Sequence, residues 1–194
     1  MELFSLIIFA VFVNNFILVQ FLGICPFLGV SKKVDSAVGM GVAVIFVMTL
    51  TSAITYALYM WVLTPLNLTF LTTIIFIFVI ASLVQIVETI IKKISPSLYS
   101  ALGVYLPLIT TNCAILGVAM LLIEGQVGTL AIDNILTATL YGFFAGVGFL
   151  LAIFLMAGLR EKLDRLHLPK SLKGFPITMV TASLMAMAFA FFSF

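Results

Sequence analysis

Residues 23–30 read GICPFLGV and place two glycines, a cysteine and a proline inside an apolar run that begins near residue 3. A related stretch, NCAILGV at 112–118, lies inside a later apolar run. The pattern Cys-x-x-Leu-Gly-Val therefore occurs twice, at Cys25 and Cys113, and these are the only two cysteines of the chain. This duplication predicts two related halves, each with one cysteine segment away from the charged loops.

The composition excludes a water-soluble globular domain. Hydrophobic residues make up 64% of the 194 residues and charged residues 8%, whereas ordinary globular domains have roughly 45–50% and about 25%. The apolar runs approach the ~20 residues that a helix needs to cross the hydrocarbon core, and they lack the alternation of a membrane β-barrel. We predict an all-α polytopic membrane protein that contacts lipid and binds no nucleic acid.

Six transmembrane helices are predicted within a single domain of residues 1–194, at 3–30, 37–60, 69–91, 98–123, 135–159 and 175–194. The first and fourth runs are too long and too interrupted for plain straight helices. The first residues lack the basic region of a cleavable signal peptide, so the first run is expected to remain as a span. Gly142 and Gly146 form a pair of small residues four apart, which predicts close helix packing.

The positive charges predict the orientation. All nine basic residues fall in the first, third and fifth connections: Lys32, Lys33, Lys92, Lys93, Arg160, Lys162, Arg165, Lys170 and Lys173. Short loops rich in Lys and Arg stay in the cytoplasm. Both termini are therefore expected on the outer, non-cytoplasmic side of the prokaryotic cytoplasmic (inner) membrane.

The two cysteines divide the chain into halves of three spans, about 1–97 and 98–194. An odd number of spans per half gives the second half the opposite polarity, which predicts two inverted three-helix repeats. ASLV at 81–84 and ASLM at 182–185 form a weaker echo of the same repeat.

Helix-breaking and polar residues surround each cysteine. Pro26 is expected to disfavour helical geometry at Cys25, and Gly23 permits close backbone approach or unusual dihedral angles. Thr110, Thr111 and Asn112 put three polar side chains before Cys113. Unwound backbone inside a membrane persists only where protein buries it or where it lines a cavity. Both cysteine segments are therefore expected to face a protein interface.

Three interpretations of the cysteines stay open on the residues alone. Each can be a small buried packing residue, the two can form a disulfide, or both can be thiolate ligands of a metal centre. Two thiolates are too few for an iron–sulfur cluster or a structural zinc site, which take about four ligands. The metal interpretation therefore requires a second protein that supplies another pair.

Three segments resemble the A-subunit family of the Rnf electron-transport complex: VNNFILVQFLGICPFLGVSKK at 13–33, LPLITTNCAILGV at 106–118 and YGFFAGVGF at 141–149. The D and E subunits of the sodium-pumping NADH:quinone oxidoreductase, Nqr, are homologous to this family, and its E subunit is the nearest alternative. The E subunit of Nqr typically has Glu-Asn at the position of Asn14-Asn15 and Cys-Thr at that of Cys25-Pro26. The resemblance covers essentially the whole chain and favours Rnf.

The resemblance implies an electron-carrying subunit of a ferredoxin:NAD⁺ oxidoreductase that translocates Na⁺ or H⁺, with no complete active site on this chain alone. In that family, the homologous A and E subunits are inserted with opposite orientation and share one intramembrane [2Fe–2S] cluster. Carried over, this makes Cys25 and Cys113 two of its ligands, with Gly23, Pro26 and Asn112 around it. The homologous partner, RnfE, would complete the cluster, and the B, C, D and G subunits of Rnf would be the other partners. A cluster halfway across divides a gap of about 30 Å that is too wide for one electron-transfer step.

A candidate ion path consists of Asn14, Asn15, Thr110, Thr111 and Glu88, because hard cations bind oxygen ligands and intramembrane acids are usually functional. The alternative is that the amides and hydroxyls satisfy backbone groups freed by the helix breaks, and that Glu88 pairs with Lys92 four residues on. Two other classes of function also remain: a secondary transporter, which has similar inverted repeats and broken helices, and a scaffold subunit without a cofactor.

Overall fold

The structure is a computed structural model and describes residues 2–31, 33–66, 69–94, 107–124, 126–127, 130–131, 134–165 and 174–191. Its helices are α1 Glu2–Ile8, α2 Ile24–Val30, α3 Val34–Leu58, α4 Thr72–Ile94, α5 Pro107–Thr110, α6 Cys113–Ile123, α7 Ile135–Asp164 and α8 Phe175–Ala190. A π-helical segment, Phe9–Val13, continues α1, and another, Tyr59–Leu63, continues α3 into the short helical turn Thr64–Leu66. A 3₁₀ turn, Thr69–Leu71, precedes α4. Strands β1 Gln126–Val127 and β2 Leu130–Ala131 pair antiparallel after α6.

Among the described residues, three helical stretches are long and apolar enough to cross a membrane: Val34–Leu63, Thr72–Ile90 and Ile135–Leu163. They confirm the helices predicted at 37–60, 69–91 and 135–159; the first and third are somewhat longer than predicted, and the second is somewhat shorter. Cys113–Ile123 and Phe175–Ala190 are shorter apolar helices. The first third of the predicted fourth span, residues 98–106, lies outside the described residues. The chain is thus a helical membrane protein, and the six-span layout stays a prediction.

The centre of the fold is the antiparallel packing of α3 against α7. Glycines allow the two backbones to approach closely: a Cβ on Gly146 would lie 2.8 Å from Ile45 Cα, and one on Gly142 would overlap Ser52. Gly41 of α3 in turn packs under Leu150 of α7. The packing predicted for Gly142 and Gly146 is therefore confirmed, and any larger side chain there would force the two helices apart.

Basic residues from three connections lie at one end of the molecule. Lys33 precedes α3, and Arg160 near the end of α7 contacts Ser31 through its guanidinium. A groove lined by Gly39 near the start of α3 and Ile90 near the end of α4 brings the last turn of α4, with Lys92, to the same end. This is the distribution that the positive-inside rule requires; which side of the membrane this end faces stays a prediction.

Candidate functional site

The first helix break begins at Asn14 and ends at Gly23. The backbone N–H of Asn14 donates to the carbonyl of Phe9 at 2.7 Å and closes the π-helical segment. The chain then turns through Phe21, with φ +56°, and Gly23, with φ +82°. A bulky residue with positive φ is uncommon and marks a backbone that its surroundings hold in place. The predicted interruption of the first span is therefore present, and Phe21 and Gly23 are its two residues with positive φ.

Asn15 holds this break together. Its side chain is fully buried, and its Nδ2 donates to the carbonyl oxygens of Val11 at 3.1 Å and of Gly148 in α7 at 3.0 Å. Its Oδ1 accepts from the backbone N–H groups of Ile17 at 3.1 Å and Leu18 at 3.3 Å. Unpaired amides in a buried position cost free energy. One side chain thus satisfies the freed backbone, as one of the two interpretations of Asn15 predicted.

Asn14 belongs to a second polar group beside the break. Its Nδ2 donates to the hydroxyl of Tyr141 in α7 at 3.1 Å, and its Oδ1 accepts from Gln20 Nε2 at 2.7 Å. Both ends of the Asn14 amide are therefore engaged by other side chains. Gln20 and Tyr141 were not among the predicted site residues; the signal that could have indicated them is a polar side chain inside an apolar run.

The second break separates α5 from α6 at residues 111–112. Asn112 is the N-cap of α6, and its Oδ1 accepts from the backbone N–H of Ala114 at 3.1 Å. This is the capping bond for which asparagine is favoured. Thr111 is exposed, whereas the side chain of Thr110 lies outside the described residues. The predicted interruption of the fourth span is present here as well.

The two breaks meet each other. A Cβ on Gly23 would lie 2.9 Å from Asn112 Oδ1 and 3.2 Å from Ala114 Cβ. One on Gly117 would lie 2.6 Å from a methyl group of Leu22. The segment before Cys25 therefore packs directly on the segment that contains Cys113, which brings together two parts of the sequence that are far apart along the chain.

Both cysteines lie in the first turn of a helix, and both are exposed as free thiols on the surface of the chain. Cys25 is the second residue of α2 and Cys113 the first of α6. The expectation that Pro26 disfavours helical geometry at Cys25 is wrong, because α2 already begins at Ile24. Pro26 is tolerated there since the first-turn N–H groups have no partner within the helix. The non-helical segment lies before α2, between Asn14 and Gly23.

A groove of about 310 Å³ adjoins the second break and is lined by Cys113, Asn112, Thr111 and Leu116 with Ile77, Ile80 and Ala81 of α4. Glu88 lies elsewhere on α4, half-buried, where it lines a small apolar cavity with Val47, Val84 and Ile109. Within the described ranges, no three His, Cys, Asp or Glu side chains are grouped closely enough to hold a metal ion. The ion path through Glu88 and the threonines stays a prediction.

Arg160 supports the Cys25 helix from its other end. Its Nη1 donates to the carbonyl oxygen of Leu28 at 2.8 Å and to Ser31 Oγ at 3.0 Å. Cationic groups at a helix C-terminus satisfy its last carbonyls and complement its dipole. From the sequence, Arg160 was predicted only to be one of the basic residues of the fifth connection. The signal that could have distinguished it is its position as the first charge after the apolar run of α7.

The chain matches known proteins over its whole length. The family described as Rnf-Nqr subunit, membrane protein, matches residues 3–194. The A subunit of the Na⁺-translocating ferredoxin:NAD⁺ oxidoreductase complex of Acetobacterium woodii is 59% identical over 100% of this chain and 97% of its own. The A subunits of the ion-translocating oxidoreductase complexes of Aeromonas salmonicida and Shigella flexneri are 49% and 52% identical, over 99% and 94% of this chain and 96% and 92% of theirs. The chain therefore belongs to the Rnf-Nqr family of membrane subunits.

Proposed function

We propose that this chain is the A-type membrane subunit of an ion-translocating ferredoxin:NAD⁺ oxidoreductase complex in a prokaryotic cytoplasmic membrane. The names of its relatives support this assignment and favour an Rnf complex over an Nqr complex. The homologous RnfE is the proposed partner at the cysteine face, with the B, C, D and G subunits in the rest of the assembly. The coupling ion is Na⁺ or H⁺.

Cys25 and Cys113 are the proposed ligands of one [2Fe–2S] cluster, shared with two cysteines of the homologous partner. The observation that carries this assignment is that two separate helix breaks pack on each other at Gly23 and Asn112 while both free thiols stay on the surface. Soft thiolates suit iron–sulfur clusters, and two from each of two proteins complete the usual four. A packing role does not explain why both cysteines are exposed.

The residues of this chain would bind and orient that group. The two cysteines present thiolates from the first turns of α2 and α6, where the dipole of a helix favours negative charge. Asn15 and Arg160 fix the α2 segment from both ends, and Asn112 caps α6. When bound, the cluster supplies a one-electron relay partway across the membrane.

Serine substitution of each cysteine, in the assembled complex, tests this proposal. A hydroxyl is a poor replacement for a thiolate on iron, so C25S and C113S are each expected to lose the cluster's EPR signal and cross-membrane electron transfer. Reduction of NAD⁺ with an artificial donor should persist, since the peripheral subunits do that chemistry. A188S, which adds a hydroxyl at an exposed position of α8, is the control and should keep both.

The result that overturns the ligand assignment is a Ser variant that assembles with an unchanged iron count and full electron transfer. A secondary transporter or a scaffold protein would then explain the broken helices better. Iron and acid-labile sulfide analysis also tests the shared site: this chain expressed alone should bind little iron, and coexpression with the homologous partner should restore it.

A further inference from the structure

The side chain of Asn112 uses only half of its hydrogen-bonding capacity. It is 4% exposed, and its Oδ1 accepts the capping bond from the N–H of Ala114. Its Nδ2 is buried and has no hydrogen-bond partner among the described residues. Since the capping bond identifies the oxygen, the end that lacks a partner is the donor end. The side chain therefore requires an acceptor.

The surroundings of Asn112 indicate where that acceptor belongs. Asn112 precedes Cys113 in the chain, and both line the 310 Å³ groove against α4. Apart from Asn112 itself, Thr111 and the thiol, the lining side chains are aliphatic, for example Ile77 and Ile80. Buried polar groups in native proteins are nearly always satisfied, and each exception calls for an explanation. A group that binds at Cys113 is the nearest candidate to provide the acceptor.

We propose that Asn112 Nδ2 donates a hydrogen bond to a sulfur atom of the iron–sulfur group held by Cys113, and that this bond raises the reduction potential of that group. The inference rests on the proposed function and gives one residue a tuning role within it. Hydrogen bonds to the sulfurs are among the factors that set iron–sulfur potentials. A donor stabilises the reduced form more than the oxidised form, because reduction adds negative charge.

Three substitutions of Asn112 separate this role from helix capping. N112S keeps an acceptor suited to the N-cap position and removes the amide donor, whereas N112A removes both. N112D also keeps the cap and replaces the donor with a carboxylate. I80V trims one methyl group from the wall of the same groove without changing its polarity, and it serves as the matched control.

The measurement is a potentiometric titration of the cluster's EPR signal in the purified complex, with iron content determined in parallel. N112S and N112A are expected to keep the iron content and to shift the reduction equilibrium toward the oxidised form by about tenfold. This corresponds to a midpoint lower by roughly 59 mV for one electron. N112D should shift in the same direction, and I80V should not shift. Only N112A should also lower the thermal stability of the complex.

A midpoint equal to that of the wild type in N112S and N112A, with the cluster retained, overturns the inference and leaves Asn112 as a cap. That result leaves the proposed function intact. The proposed function fails on a different result, namely cysteine variants that keep their cluster. Should the variants not assemble, pulsed EPR of the wild-type complex grown with ¹⁵N-asparagine decides. A nitrogen coupling to the reduced cluster supports the bond, and its absence overturns it.

Discussion

Replacing Gly23 with alanine tests whether the contact between the two breaks holds the cysteine pair in place. Gly23 has φ +82°, and a Cβ there would lie 2.9 Å from Asn112 Oδ1 and 3.0 Å from the ring of Phe149. The left-handed conformation costs an alanine about 1–2 kcal/mol, and overpacking typically costs another ~1–3 kcal/mol. We therefore expect G23A to destabilise the folded chain by roughly 2–5 kcal/mol and to separate Cys25 from Cys113.

The assay is thermal denaturation of the purified complex in detergent, with iron content measured on the same samples. G158A is the matched control, because this helical glycine of α7 has no neighbour within 4 Å of an added Cβ. It should be neutral or stabilise the chain by about 0.5–1 kcal/mol. The double variant G23A/A114G, which removes the methyl group that the new one meets, should recover part of the loss. A G23A complex with wild-type Tm and iron content would show that the contact at Gly23 does not hold the cysteine pair in place.

Three further predictions address the elements around the site. N15L should destabilise the chain by about 2–6 kcal/mol, since it leaves two buried amides without an acceptor at ~1–3 kcal/mol each; a chemical-denaturation midpoint equal to the wild type would contradict this. R160M should speed amide hydrogen exchange across 24–31 and cost about 1–2 kcal/mol, with R160K intermediate; unchanged exchange there would exclude the proposed anchoring. Topology reporters at the C-terminus and within 125–132 should read outside, and one within 162–173 cytoplasmic; a cytoplasmic C-terminus would overturn the six-span prediction.

The sequence predicted that the first and fourth spans break, but it predicted neither the position of the first break nor what stabilises the breaks. Glycine, proline and consecutive polar residues are local signals, so the interruptions near Cys25 and Cys113 could be predicted directly. Whether an amide such as that of Asn15 binds an ion or the backbone depends on which residues of α7 the first span packs against. The local sequence pattern does not specify those residues; the close approach of Gly148 to Val11 does.

Pro26 shows how a correct local rule can give the wrong position. Proline opposes a helix in its interior but not in its first turn, where the N–H it lacks would have no helical partner. The rule therefore could not say whether the helix ends before Pro26 or begins there. The structure begins α2 at Ile24, and the anchoring of its end by Arg160 depends on a residue that lies far along the chain.

The packing of α3 on α7 bears on the predicted inverted repeat. The offset in sequence that separates ASLV at 81–84 from ASLM at 182–185 also separates Gly41 from Gly142 and Ile45 from Gly146. A two-fold axis exchanges such equivalent positions. Such an axis would exchange Ile45 with Gly146, and these two residues contact each other. If the axis exists, α3 and α7 should therefore cross on it at this contact.

A second contact between α3 and α7, that of Gly41 with Leu150, lies away from the crossing point. If the axis exists, the packing of Gly41 under Leu150 requires an image between Gly142 and residue 49. Gly142 packs on Ser52 and on the carbonyl of Met48, which lie three residues after and one residue before that position. An axis in the membrane plane at this crossing would place the two cysteine segments antiparallel and at matching depths on either side of it. That arrangement is the one in which two thiols from opposite halves of the chain can face a single partner. The inverted repeat and the shared cluster both stay predictions, and the topology reporters and the cysteine variants test them separately.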